Sequence, residues 1–205
     1  MHYHIDFPLI YLTKVLKILI KIAKKGGLKI IFYIWITNQL KIKNMENMPF
    51  NFTAVIAATF VTLIVGFIWY SPKVFGTIWM KETGMTEEKA KQSNMLKVFG
   101  LTIFYSFMLA FILPALVNHQ MGALGLFDGN PENPGFIELM KTHGDVYRTF
   151  KHGALHGFIA GVFIALPITA INALFEQKSW KYILINAGYW IVSMMIMGAI
   201  ICGWK

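Results

Sequence analysis

Four uninterrupted apolar runs set the pattern of the chain: Phe52 to Tyr70, Val98 to Val117, Gly153 to Phe175 and Tyr182 to Trp204. Each is close to the roughly 20 residues that a helix needs to cross a bilayer. The first two carry no charge, the third holds His156 and Asn172 as its most polar members, and the fourth holds Asn186. Hydrocarbon offers backbone amides no partner, so such segments satisfy their amides internally as helices. Runs that are continuous, without strict alternation, exclude a β-barrel. The pattern predicts an all-α integral membrane four-helix bundle, with a short interfacial helix after the first span.

Gly, Pro and Asn punctuate the connections. Ser71-Pro72 ends the first span and has the cap and first-position residues to start another helix. Lys73 to Lys81 then reads as the interfacial helix, with Phe75, Ile78 and Trp79 on its apolar side and Gly84 as its terminator. Thr86-Glu87-Glu88 restarts a polar helix leading into the second span. The long connection from His119 to Lys151 is broken by Asp128-Gly129-Asn130-Pro131, and Gly135 to His143 has the makings of a short helix. Only Glu176 to Lys181 joins the last two spans, which are therefore expected to be antiparallel neighbours.

Residues 1–44 are of another kind. Pro8 to Ala23 and its flank set Lys14, Lys17, Lys21 and Lys24 at helical spacing among Leu, Ile and Val. That pattern describes a basic amphipathic helix lying on anionic headgroups. The lysines interrupt any signal-peptide core, and Leu28 to Ile36 is too short to span. The chain divides into this extension and a four-span membrane domain over 45–205.

Composition agrees: 56% of the 205 residues are hydrophobic, 14% are charged, and mean hydropathy is +0.54. A soluble enzyme could not cover that much apolar surface, and a disordered chain would collapse or insert. Of the net charge of +9, residues 1–43 supply +7, from eight lysines against Asp6 alone. The basicity belongs to the tail, so no nucleic-acid partner is expected. Positive loops stay cytoplasmic. Seven lysines in the first and third connections outweigh the four cations Lys141, Arg148, Lys151 and Lys205 of the opposite side, until the eight extension lysines reverse the balance. A native start near Met45 or Met48 removes that conflict and is the expectation, with the spans in a cell (inner) membrane. Cys202 is the single cysteine, which excludes an intrachain disulfide.

Small residues recur four apart as Ala58, Thr62 and Gly66 in the first span and as Gly153, Gly157 and Gly161 in the third. Such stripes let helix backbones approach closely, which drives association in lipid. Pro114 and Pro167 are expected to kink the second and third spans. The aromatics Trp69, Tyr70, Trp79, Trp180, Tyr182, Tyr189, Trp190 and Trp204 fall mostly at span ends, as an interfacial belt does.

Candidate chemistry is sparse. His152 and His156 share a helix face, offset by one residue from the glycine stripe. A metal needs further ligands, and none of His119, His143, Asp145 or Glu176 stands at ligand-like spacing, so no metal and no cofactor are expected. Asn172, Glu176 and Asn186 gather around the last connection, where the two asparagines are placed to hydrogen-bond across the hairpin. His152, His156, Asn172, Glu176 and Asn186 form the candidate functional polar cluster. No catalytic residue is assigned, because no phosphate loop, nucleophile elbow or zinc-protease helix is present.

The run Gly66-Phe67-Ile68-Trp69-Tyr70-Ser71-Pro72-Lys73-Val74-Phe75-Gly76, then Trp79-Met80 and Gly84-Met85-Thr86-Glu87-Glu88, resembles the opening of the bacterial domain-of-unknown-function 1761 family. His152-Gly153-Ala154-Leu155-His156-Gly157, Asn172-Ala173-Leu174-Phe175-Glu176 and the run from Trp180 to Trp190 resemble its later motifs, so the likeness covers about residues 50–204. It implies a small multi-pass membrane protein of about four helices and carries over no catalytic residue. The expected role is non-enzymatic: a structural or accessory component acting through helix packing in the lipid bilayer, as a homo-oligomer or with a membrane-protein partner. The alternative is a small-solute or proton-coupled transporter working as an oligomer. A water-accessible cavity joining His156, Asn172, Glu176 and Asn186 would favour transport, and a dry bundle the structural role.

Overall fold

The computed structural model describes residues 48–205, and the expected amphipathic helix of the extension lies outside them. Every regular element among the described residues is a helix. Four are long and apolar enough to cross a membrane: Phe52–Trp69, Met95–Val117, Phe150–Phe175 and Trp180–Gly203. Three begin earlier than the apolar runs because capping, not hydrophobicity, fixes a helix start. Asn94, Thr149 and Ser179 each accept a backbone amide of the first turn, from Lys97, His152 and Tyr182. The lysines that end each apolar run therefore sit inside the helices.

The last long helix is the axis of the fold. It packs against the first and third long helices and against Pro114–Val117, burying Ile183, Ala187, Met194, Met197 and Ile201. The first helix contributes Val55, Ala58, Val61 and Val65 to the same core, and the second contributes Ala110, Leu113 and Val117. The second helix leans on Phe52–Thr59 and parts from Val61–Trp69. A lateral groove of about 1200 Å³ opens there, walled by Phe67, Met95 and Phe99, with Gly66 and Tyr189 in its lining.

Three helix irregularities have local causes. Pro114 follows a break at Leu113 in the second helix. Pro167 is preceded by a π turn over Gly161–Ala165, which absorbs the amide that proline lacks. The first helix is interrupted at Phe60 with no Gly or Pro nearby. There the hydroxyls of Thr59 and Thr62 donate back to the carbonyls of Val55 and Thr59, a pattern that bends helices.

The first connection departs from expectation. Ser71-Pro72 opens no helix, because the chain turns through residues 71–75 with the amides of Val74 and Gly76 donating to the Ser71 carbonyl at 3.0 and 2.9 Å. The helix is Gly76–Thr83. A Cβ at position 76 would meet the Tyr70 carbonyl oxygen, so the turn requires glycine there. Gly84, at φ 67°, terminates this helix, and Thr86 caps the next, Glu87–Gln92. In the long connection Pro134–His143 is helical, one residue earlier than expected, and His119–Gly125 is a helix the sequence pattern gave no sign of.

Candidate functional site

The third and fourth long helices meet backbone to backbone. A Cβ on Gly153 would strike the Gly198 carbonyl oxygen, one on Gly157 the Met194 carbonyl oxygen, and one on Gly161 would lie 2.7 Å from Ile191 Cα. The glycine face is thus consumed inside the chain and is not presented to a partner. In the first helix Ala58 and Thr62 are buried, while Gly66 faces the Tyr189 ring with room for an ordinary contact. Thr62 ties three helices together. Its hydroxyl lies 2.5 Å from Ser106 Oγ in the second helix, and its carbonyl accepts from Tyr189 Oη of the fourth at 3.0 Å.

The candidate polar cluster does not converge. Asn172 and Glu176 are exposed, about 24 Å or more along the third helix from His156 at 1.5 Å per residue. Asn186 makes no hairpin pair with Asn172. It donates to the Tyr182 carbonyl at 2.8 Å and accepts from Tyr70 Oη at 3.0 Å. Trp69, the last residue of the first span, donates Nε1–H to the Ile185 carbonyl at 3.0 Å.

What the fold does assemble is a histidine triad. His119, at the start of its own short helix, joins His152 and His156 so that one nitrogen of each lies within 4.8 Å of the others. His119 Nε2 and His152 Nε2 are 2.9 Å apart. At that distance one nitrogen donates and the other accepts, which a pair of imidazolium ions cannot do. The rings of His152 and His156 are 4.4 Å apart by centroid, and those of His119 and His156 stand nearly perpendicular at 5.1 Å. Spacing along the chain concealed the third histidine, which lies 33 residues before His152. His119, one of the candidates without ligand-like spacing, is the one that the fold brings beside the pair.

The surrounding chain is pinned. Asn118 donates to the Pro49 carbonyl at 3.3 Å. Gln120 donates to the carbonyls of His143 and Val146, both at 2.9 Å, and so ties the 143–146 loop beneath His119. Buried Arg148 reaches the Cys202 carbonyl at 3.0 Å, and the Cys202 thiol donates to the Tyr147 carbonyl at 3.4 Å. Tyr147, held at φ 62°, stacks on His152 at 5.0 Å and 22° and stands edge-on to His119 at 5.6 Å. A left-handed backbone at a non-glycine residue costs about 1 kcal/mol or more. Strain therefore accompanies the placement of this ring over the triad. A hollow of about 260 Å³ adjoins His119, lined by Gln120, His143, Val146 and Tyr147.

Residues 53–202 match the family described as Protein of unknown function (DUF1761). The chain belongs to this family. The DUF1761 match takes in the three histidines, the glycine seam and nearly all of the four long helices, and its description carries no activity. No curated protein and no solved structure matches the chain.

Proposed function

We propose that this DUF1761 protein is a non-enzymatic, multi-pass component of a cell (inner) membrane, acting as a homo-oligomer or as an accessory subunit of another membrane protein. The observation that carries the reading is the dry seam between the third and fourth helices, where glycine lets backbone meet backbone. A solute path needs polar groups facing one another at depth. Here Thr62 bonds both Ser106 of the second helix and Tyr189 of the fourth, and Asn186 is engaged by Tyr70. His156 stands far from Asn172 and Glu176 along the same helix, which weighs against a proton relay linking them. Because the glycine stripe is used internally, partner contacts fall to the outer faces, where the groove beside the second helix offers an apolar recess.

Purification in mild detergent with intact-complex mass measurement tests this. A defined complex with a second copy or with another membrane protein is the expected result. A monomer that conducts protons or small solutes across liposomes would overturn it in favour of transport.

A further inference from the structure

We propose that His119, His152 and His156 bind a divalent first-row transition-metal ion, zinc or its close analogues, at one end of the helix bundle. Three imidazole nitrogens are the donor set of an open zinc site, which leaves a fourth position for water or an external ligand. Imidazole suits zinc, cobalt, nickel and copper, and it does not suit magnesium or calcium, which demand oxygen.

Geometry supports closure around an ion. Tetrahedral zinc with bonds of about 2.0–2.1 Å sets its nitrogens about 3.3–3.4 Å apart. The His119–His152 pair, at 2.9 Å, needs to open by a few tenths of an ångström, and the widest separation in the triad, no more than 4.8 Å, needs to close by about 1.4 Å at most. His152 and His156 sit one turn apart on a capped helix, and the Asn118 and Gln120 side chains fix the backbone on either side of His119. Side-chain rotation alone can make the adjustment.

Of the three histidines only His119 lines the adjacent hollow, so a fourth ligand would reach the ion from the His119 side. The hollow beside His119 is large enough for water or a small anion, and it is walled by Tyr147. Gln120 lines it, and the buried Oε1 of that residue has no partner in the protein. Ligand imidazoles must be neutral, and the 2.9 Å nitrogen pair already disfavours two cations. Among the described residues no carboxylate shares the triad, so the bound ion would keep its charge. That arrangement favours an anionic or water ligand over a purely structural, closed centre.

The test uses the untagged full chain in detergent, stripped with chelator and titrated with Co²⁺, then with Zn²⁺ in competition. The expected result is one equivalent of cobalt per chain, with visible absorption bands of four- or five-coordinate nitrogen ligation, displaced by zinc and untouched by Mg²⁺. His119→Ala, His152→Ala and His156→Ala should each weaken binding at least tenfold, while Glu176→Ala, far along the third helix, leaves it unchanged. His119 is exposed, so His119→Ala should keep the parent's melting in the metal-free state and separate lost ligation from lost folding. Absence of a cobalt band, or binding that survives His119→Ala in a folded protein, would overturn the site.

Discussion

Gly157→Ala isolates the contact on which the helix seam depends. The new Cβ would fall on the Met194 carbonyl oxygen and lie 2.8 Å from its carbonyl carbon and 2.9 Å from Met195 Cα. Ordinary contact begins near 3.4 Å, so the fourth helix must retreat by about 1 Å or more to clear that oxygen. No rotamer can relieve this, because every obstacle is backbone. Separation of that size forfeits about half of each neighbouring dispersion contact. Gly153 and Gly198, packed against each other in the same seam, would lose contact with it. Overpacking costs about 1–3 kcal/mol and more against rigid obstacles, while alanine regains about 1 kcal/mol of helix propensity. The net loss expected is about 2 kcal/mol, and Gly157→Leu should lose more. Gly100→Ala is the internal control: it lies in the second long helix, and its Cβ would meet nothing within 4 Å. That variant should be neutral or up to about 1 kcal/mol more stable. Reversible unfolding in mixed micelles reads both. If Gly157→Ala and Gly100→Ala unfold alike, the seam is not as close as described.

Thr62→Val removes the hydroxyl 2.5 Å from buried Ser106 Oγ and should cost about 1–2 kcal/mol, and adding Ser106→Ala should restore part of the loss by removing the stranded partner. Tyr70→Phe leaves Asn186 Oδ1 without its donor, for an expected cost of about 1 kcal/mol in the same unfolding assay. Arg148→Met unties the segment before the third helix from the Cys202 carbonyl, so proteolysis within 143–149 should accelerate while the long helices remain protected. Hydrogen bonds from its own backbone amide and from Thr86 hold the Glu88 carboxyl below its ordinary range. Its contribution to the Glu87–Gln92 helix is therefore present at neutral pH and lost as pH falls through that lowered value, which amide exchange of this helix against pH would register.

The long helices are legible in the sequence because lipid solvation demands about 20 apolar residues whatever the packing. Their true starts were displaced by Asn94, Thr149 and Ser179, whose side chains cap helices that run through the flanking lysines. The glycine stripe is visible as a stripe, but only the fold shows that Met194 and Gly198 of the same chain fill it. Ser71-Pro72 misled because both residues favour helix starts, and the competing turn rests on Gly76, four residues on. The bend at Phe60 comes from threonine hydroxyls bonding backward, a choice that apolar periodicity does not encode. His119 could not be paired with His152 from the sequence. Their meeting depends on how the long connection folds back, which is set by the distant contacts of Gln120 and Arg148.

Water access to the bundle interior tests the central claim most directly. In a Cys202→Ser background, Ala187→Cys and Ser193→Cys place single thiols on the inward face of the fourth helix, at positions buried from solvent. Lys178→Cys, in the connection before that helix, provides the accessible control. A membrane-impermeant maleimide applied from both sides of native membranes should label position 178 and leave 187 and 193 unmodified until detergent unfolds the protein. Rapid labelling of either inward thiol in the folded protein would reveal a water-filled path and contradict the dry, packed bundle.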